Sequence, residues 1–311
     1  MTSTILSSAP DYGCFRFNCA VDFIMVRVEL AQASNGWSVR EATGVTYAHP
    51  LDKGAGGAAS TFVMRFDDPG SWAGVHQRLD ALRVLKGFKS EPQLAEIEVS
   101  FDAYSRGMDH AELLGMTERF FKFSNMCSDN ARLVRKDGDE VVGPYYVSSD
   151  LLTLKLKQGY IVAVGNVADH VRQRIYLKTT DRAGAVHLKP QQHRARIEVT
   201  LKDDMLPFTS LAQASAFKFE TLNEWFRFRK PRPGLLLSPV QLLMLRRHPA
   251  LGSRVRCKRK NFHGWTAADR ALSDRAYDAL RYLTQKMNAT RGLGRGAEKS
   301  GRTPGRRKPS P

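Results

Sequence analysis

The stretch that decides the fold of this chain runs from Gln173 to Leu201 and reads QRIYLKTTDRAGAVHLKPQQHRARIEVTL. It contains two short runs of alternating apolar and polar residues, joined by a polar connection with glycine and proline. Because successive side chains of a strand point to opposite faces, each run predicts a strand with one apolar and one polar face. The polar set comprises Arg174, Tyr176 and Lys178 from the first run and Arg194, Arg196, Glu198 and Thr200 from the second.

If the two strands pair with their apolar faces on one core, these polar side chains converge on the opposite face. A tyrosine, a lysine, arginines and a carboxylate together suit phosphodiester chemistry. The same pattern is also typical of any antiparallel pair with one solvated face. The two strands alone leave both interpretations open.

The rest of the chain predicts an α+β fold built on antiparallel sheet with packed helices. Its elements follow no regular strand–helix–strand alternation, which argues against a doubly wound parallel sheet. The connection before Thr61 is rich in glycine but lacks the Gly-Lys-Ser/Thr ending of a phosphate-binding loop. The remaining predicted strands are Val21–Leu30, Thr61–Phe66, Leu94–Tyr104, Thr153–Lys157 and Tyr160–Gly165, and the predicted helices are Trp72–Phe88, Asp109–Phe123, Leu211–Phe228, Val240–Arg247 and Ser273–Met287.

A short motif recurs in three of the predicted strands. Each copy places a glutamate between apolar neighbours in the middle of the strand. The copies are Arg27–Leu30, Ala95–Val99 and Arg196–Val199. Two similar halves that share one sheet would explain the recurrence, and coincidence would explain it as well.

The net charge of +17 is concentrated near the end of the chain. From residue 227 to 311 there are 22 Lys and Arg against 4 Asp and Glu, whereas the remainder holds 26 basic and 27 acidic residues. This asymmetry predicts an α+β body (1–228), a basic helical DNA-binding region (229–287) and a disordered basic tail (288–311). Nucleic acid is the expected partner, because neutralised phosphates release condensed counterions. The basic residues singled out in the second region are Arg254, Arg256, Lys258, Arg259 and Lys260.

Several classes of protein are disfavoured by the composition. There is no run of about 18 apolar residues that could span a membrane, and the N-terminus lacks the pattern of a signal peptide. The four cysteines have neither CxxC nor zinc-site spacing. We therefore expect a cytoplasmic protein with reduced thiols and no membrane partner, and a homodimer stays open.

Taken together, the segments resemble the prokaryotic replication initiation factor family, the rolling-circle initiators and related relaxases of plasmids, phages and integrative elements. The resemblance covers roughly residues 20–205. It rests on the order and spacing of short motifs rather than on any one of them. These are Val21–Phe23, Glu96–Asp102, Tyr160–Gly165, Arg174–Lys178 and Arg196–Val199.

The resemblance implies a DNA endonuclease and strand transferase that nicks and rejoins one strand through a phosphotyrosine. Its motif makes Tyr176 the nucleophile, with Lys178 and Arg174 beside the scissile phosphate and Arg196 as a further DNA contact. It also makes carboxylates the ligands of Mg²⁺ or Mn²⁺, here Glu98, Asp102 and Glu198. The partners would be a double-stranded origin and a single strand of DNA. The alternative is a non-catalytic nucleic-acid-binding protein of a mobile element.

The implied chemistry is consistent with the residue types. A phenol with a pKa of ~10 is almost entirely protonated at neutral pH, so a divalent cation on the phosphate would aid its attack. Mg²⁺ and Mn²⁺ prefer oxygen ligands to imidazole. The histidines are accordingly expected at the surface, and an RNA-binding protein is disfavoured because no RNP-type motif is visible. The rival nucleophiles are Tyr145, Tyr146 and Tyr160.

Overall fold

The computed structural model describes residues 11–52, 54–124, 131–134, 140–141, 154–181, 184–232 and 266–289. The strands are β1 (Phe15–Ser34), β2 (Tyr47–Pro50), β3 (Ala59–Asp67), β4 (Gln93–Ser105), β5 (Ala131–Val134), β6 (Glu140–Val141), β7 (Ile161–Val164), β8 (Val171–Lys178), β9 (Thr180–Asp181), β10 (Val186–His187), β11 (Arg194–Lys202), β12 (Arg229–Pro231) and β13 (Thr266–Ala268). The α-helices are α1 (Gly36–Thr43), α2 (Trp72–Lys86), α3 (His110–Phe123) and α4 (Arg270–Asn288). Short 3-10 helices span Tyr12–Cys14, Ala55–Gly57, Pro190–Gln192, Asp203–Met205, Leu211–Ala216 and Phe219–Phe226.

Nine of the described strands form one sheet in the order β2-β3-β1-β4-β11-β8-β7-β5-β6. Every pair within it is antiparallel. The predicted α+β class with an antiparallel sheet is therefore confirmed. The long strand β1 carries a bulge, because Val21 pairs with Val99 whereas Phe23 pairs with Glu98. Asp22 is the extra residue, and a bulge of this kind redirects a side chain.

One face of the sheet is apolar, and the helices pack on it. Phe101 of β4 lies at its centre, in ring contact with Phe120 of α3 and with Phe226 and Phe228. Trp72 at the start of α2 packs against Phe208 and Phe219. These rings belong to one continuous buried core, so the opposite face of the sheet is left for polar side chains.

The ends of α2 and α3 are fixed by residues outside the helices. Ser71 Oγ accepts a hydrogen bond from Gly74 N at 3.2 Å, and α2 ends at Gly87 with φ +64°. Asp109 Oδ1 accepts from Ala111 N at 2.7 Å at the start of α3. Side-chain caps of this kind satisfy backbone N–H groups that the helix itself leaves unpaired.

Helix α4 packs into the same core as the body of the protein. Leu272, Leu280 and Leu283 are completely buried. Within the C-terminal region predicted from charge, residues 233–265 and the tail from 290 onward lie outside the described residues. The division at residue 228 stays a prediction. No helix in the part of the chain that the structure describes is both long and apolar enough to cross a bilayer.

A buried polar cluster of Tyr12, Arg119 and Asp269 ties α4 to the body. Tyr12 Oη donates to Asp269 Oδ2 at 2.5 Å, and Arg119 Nη2 donates to the same oxygen at 3.0 Å. Arg119 Nε also donates to Tyr12 Oη at 2.8 Å. Asp269 caps α4, since its Oδ1 accepts from Leu272 N at 3.3 Å. We refer to these three residues as the Tyr12 cluster.

The recurring motif lies at the centre of the sheet in two of its three copies. Val99 of β4 pairs directly with Val199 of β11, so Glu98 and Glu198 are related by a local twofold axis between the two valines. The third copy does not join them, because Glu29 pairs with Thr61 on the other side of β1.

Two predicted elements are wrong. Residues 154–157 are helical rather than a strand, although their leucines and lysines alternate, and Leu154 is 50% exposed. The segment predicted as the helix Leu211–Phe228 is instead two 3-10 helices. Tertiary contacts explain the second case, since Phe219 N donates to Thr284 Oγ1 of α4 rather than to a helical carbonyl.

Candidate active site

The polar face of the sheet is organised by the pairing of β8 with β11. Arg196 lies opposite Tyr176, and Glu198 lies opposite Arg174. Residues directly opposite in an antiparallel pair share a face, so the predicted convergence of these side chains is what the register produces. β11 also pairs with β4 on its other side, which adds Glu98 and Asp102 to the same face.

Three carboxylates from three strands come together on this face. Asp22, Glu98 and Glu198 each offer an oxygen, and these oxygens lie within 4.8 Å of one another. The two glutamates are 4% and 2% exposed. We refer to these three residues as the carboxylate cluster. It contains two of the three predicted ligands, with Asp22 in the place of Asp102.

Arg174 lies between the two glutamates of the carboxylate cluster. Its Nη2 atom is 2.9 Å from both carboxylate oxygens of Glu98 and 2.7 Å from Glu198 Oε2. A single cationic nitrogen thus contacts three oxygens. Burial by itself would lower the pKa of Arg174, but Glu198 and Glu98 outweigh it and raise the pKa.

Arg196 accounts for the different position of Asp102. Arg196 forms two parallel hydrogen bonds with the Asp102 carboxylate, at 2.6 and 2.7 Å. Its Nη1 also donates to Asp22 at 2.9 Å and to Glu198 at 3.2 Å. The Arg196 side chain is 3% exposed, so it holds acids in place, and its predicted contact with DNA stays a prediction.

Tyr176 is joined directly to the carboxylate cluster. Its hydroxyl donates to Glu198 Oε1 at 2.6 Å, and the residue is 8% exposed. Burial and the negative charge of Glu198 raise the pKa of Tyr176 well above its ordinary value. The phenol is therefore held protonated while only these protein groups surround it.

The crowding of acids also affects two members of the carboxylate cluster. Burial raises the pKa of Asp22 to about 7, although Arg196 opposes the shift. Burial and the neighbouring Glu198 raise the pKa of Glu98. Raised pKa values of this origin are common where a functional site brings like charges together.

Two oxygens of the carboxylate cluster lack hydrogen bonds. Asp22 Oδ2 and Glu198 Oε2 are buried and accept none from the residues that the structure describes. Glu198 Oε2 lies close to Arg174 Nη2 but outside hydrogen-bonding geometry. Buried polar atoms without partners are unfavourable. An oxygen-preferring dication such as Mg²⁺ or Mn²⁺ therefore fits this donor set.

The other predicted site residues have mixed positions. Lys178 lies on the polar face but contacts Asp181 at 2.9 Å. Among the rival tyrosines, Tyr160 packs against Lys155, with the Lys155 Nζ 4.6 Å from the ring centre. Tyr145 and Tyr146 lie outside the described residues, as do Arg254, Arg256, Lys258, Arg259 and Lys260.

Asp22 is the site residue that reasoning from the sequence assigned no role. It was part of a motif that suggested a first strand, but alternation within that strand does not show which face Asp22 points to. The bulge at Asp22 depends on pairing with β4. The one available signal was an acidic residue inside an otherwise apolar strand.

Comparisons with known proteins give structural similarities but no match in sequence. No family model and no curated protein matches the sequence. Among solved structures, the fold is similar to a rolling circle replication initiator protein from Geobacillus stearothermophilus, with a TM-score of 0.41 and 13% identity over 86% of this chain and 98% of that one. An aspartate kinase from Synechocystis has a TM-score of 0.17 and 9% identity over 90% of this chain and 57% of that one. At these values neither similarity assigns a family or an activity.

Proposed function

We propose that the chain is a metal-dependent enzyme that nicks and rejoins one strand of DNA, with Tyr176 as its nucleophile. The observation that supports this most directly is the hydrogen bond of 2.6 Å from the Tyr176 hydroxyl to Glu198. Glu198 is at the same time part of a cluster of three acids drawn from three strands. A phenol beside a group of acids that could hold a cation is an arrangement suited to phosphoryl transfer to tyrosine.

Asp22, Glu98 and Glu198 would hold the cation, which is Mg²⁺ or Mn²⁺ in this proposal. When bound, it would make the phosphorus more electrophilic and stabilise charge on the leaving oxygen. Arg174 Nη2 contacts the same glutamate oxygens. Arg174 must therefore leave these contacts when a cation enters, and it is then free to pair with a phosphate.

Glu198 is placed to take the phenolic proton as the Tyr176 oxygen attacks phosphorus. The bond from phosphorus to one bridging oxygen breaks, and the leaving oxygen receives the proton that Glu198 accepted, so that end of the strand is released as a free hydroxyl. The other end stays attached to Tyr176 as a phosphodiester. The same hydroxyl can later attack this bond, which rejoins the strand and returns the proton to the phenol.

The proposal is tested by nicking of supercoiled plasmids that carry segments of the DNA element encoding the protein. With Mg²⁺ or Mn²⁺ the wild-type protein should give open circles and a covalent protein–DNA adduct. Tyr176→Phe should abolish both and leave DNA binding intact. Tyr104→Phe is the matched control, because Tyr104 lies on the same face with its hydroxyl 3.4 Å from Asp102. Nicking by the Tyr176→Phe protein would refute the proposed nucleophile.

A second candidate function is DNA binding without catalysis. It is favoured by the arginines, because Arg174 and Arg196 already contact all three acids of the carboxylate cluster. In that case the cluster is a buried ion-pair network that only stabilises the sheet. DNA binding without open circles or adduct, with either metal and on every insert, would support this candidate instead.

A further inference from the structure

A second group of arginines lies beside the carboxylate cluster on the polar face. Arg132 of β5 pairs with Ala163 of β7, and Ala163 pairs in turn with Arg174 of β8. Arg172 follows on the same face of β8, two residues before Arg174. Arg132, Arg172 and Arg174 are therefore neighbours on this face of the sheet.

The backbone is closely packed in the turn next to Arg172. Gly165 follows β7 with φ +79°, and a Cβ at this position would lie 2.6 Å from Val171 O and 3.5 Å from Arg172 Cα. No other residue fits there without displacing backbone. Arg132 reaches the same turn, where its Nη2 donates to Gly165 O at 2.9 Å. Arg132 and Arg172 thus flank the same tight turn.

Arg172 differs from the other arginines of this face in its contacts. Arg174, Arg194 and Arg196 all form ion pairs with carboxylates. Arg172 forms none with the residues that the structure describes, and its Nε is buried without a hydrogen-bond partner. Burial lowers the pKa of Arg172, as does the charge of Arg174, while Glu98 opposes them. The guanidinium of Arg172, which has no ion-pair partner among the described residues, is therefore available to pair with an added anion.

We propose that Arg172 binds a backbone phosphate of a single DNA strand that crosses the polar face toward Tyr176. A planar guanidinium with unused donors is suited to phosphate. Arg172 and Tyr176 are four residues apart on one face of β8, or ~13 Å at about 3.3 Å per residue. The phosphate bound by Arg172 therefore lies within a few nucleotides of the one that Tyr176 attacks. This inference rests on the proposed function in one respect, namely that the bound strand leads to Tyr176 as the nucleophile.

The probe is a fluorescein-labelled oligo(dT) of about 20 nucleotides, titrated at several salt concentrations with full-length protein carrying Tyr176→Phe. Adding Arg172→Ala should weaken binding ~10-fold at low salt. It should also reduce the magnitude of the slope of log K against log salt by ~0.7, because each phosphate contact on a single strand contributes about that much to the slope. Arg172→Lys should keep the slope and lose part of the affinity, since it keeps the charge without the planar fork.

Arg27→Ala is the matched control, because Arg27 is an exposed arginine of β1 whose Nη2 is 3.6 Å from Glu29. Arg27→Ala should change the affinity for oligo(dT) and the salt dependence of binding much less than Arg172→Ala does. A neutral methylphosphonate oligo(dT) should bind the Arg172→Ala and parent proteins equally. The inference is overturned if Arg172→Ala leaves the slope unchanged, or if it has no more effect than Arg27→Ala. Binding is measured with the Tyr176→Phe protein and does not depend on DNA cleavage. The role of Arg172 is therefore tested separately from the proposed nicking activity, and either can fail without the other.

Discussion

Two buried tyrosines in the described part of the chain donate their hydroxyls to a carboxylate, and their surroundings differ. Tyr12 donates to Asp269 at 2.5 Å, and Tyr176 donates to Glu198 at 2.6 Å. Burial raises the pKa of both phenols. In the Tyr12 cluster one acid faces one arginine, whereas the three acids of the carboxylate cluster face two arginines, Arg174 and Arg196.

The two clusters differ in how fully their oxygens are used. Both oxygens of Asp269 accept hydrogen bonds, one from Tyr12 and Arg119 and the other from the backbone of α4. In the carboxylate cluster, Asp22 Oδ2 and Glu198 Oε2 accept none from the described residues. A saturated buried cluster stabilises the fold, whereas an unsaturated one is suited to binding something else.

The largest expected effect comes from breaking the Tyr12 cluster. Asp269→Ala leaves the buried Arg119 without its carboxylate and removes the cap of α4. Loss of one partner of a buried pair typically lowers the free energy of unfolding by roughly 3–5 kcal/mol. Urea denaturation followed by circular dichroism measures this. Tyr12→Phe should cost less, about 2 kcal/mol, because it removes two hydrogen bonds, one donated to Asp269 and one accepted from Arg119. An Asp269→Ala protein as stable as wild type would mean that the Tyr12 cluster does not hold α4.

A medium effect is expected from adding metal, and it should involve the carboxylate cluster alone. Mn²⁺ at about 100 times its dissociation constant should raise the free energy of unfolding by ~2.7 kcal/mol, because it binds only the folded state. Glu98→Gln should remove this gain, and Tyr12→Phe should keep it. Arg174→Ala should lower the Mn²⁺ concentration needed, since Arg174 competes for the same oxygens. Equal stabilisation of wild-type and Glu98→Gln proteins would place the metal elsewhere.

The smallest expected effect is on the pH dependence of stability. Asp22 has a pKa of about 7 in the folded protein and ~3.9 in an unfolded chain. Between these two pKa values the folded state binds more protons than the unfolded state. The stabilisation that protonated Asp22 contributes is therefore fully present below about pH 4 and is lost as the pH rises through 7. Asp22→Asn should therefore flatten the decline in the free energy of unfolding between about pH 5 and pH 8 by an amount of order 1 kcal/mol, and melting temperatures recorded across this range measure it. An unchanged pH profile would contradict the raised pKa of Asp22.

Much of the candidate site could be predicted from alternation along the strands. Arg174 and Tyr176 share a face because they are two residues apart, and so do Arg196 and Glu198. The recurring motif in Ala95–Val99 and Arg196–Val199 pointed to the two central strands. These features are local, and a strand keeps them whichever neighbour it pairs with.

The features that could not be predicted depend on pairing between distant segments. Asp22 reaches the carboxylate cluster because β1 bulges against β4. Asp102 leaves the set of predicted ligands because Arg196, 94 positions later, forms two hydrogen bonds with it. The segment after Leu211 is drawn into 3-10 turns by contacts with α4, and those contacts override its helical periodicity.

The register that sets Val99 against Val199 also has a consequence for how the chain folds. The two central strands are a hundred positions apart, and Tyr12 and Asp269 are 257 positions apart. Contacts of such long range are slow to form, because the closure of large loops comes before any stabilisation. A ribosome must therefore release nearly the whole chain before the core can close. Until then, the phenylalanine-rich surface that α4 later covers is open to chaperones and to aggregation.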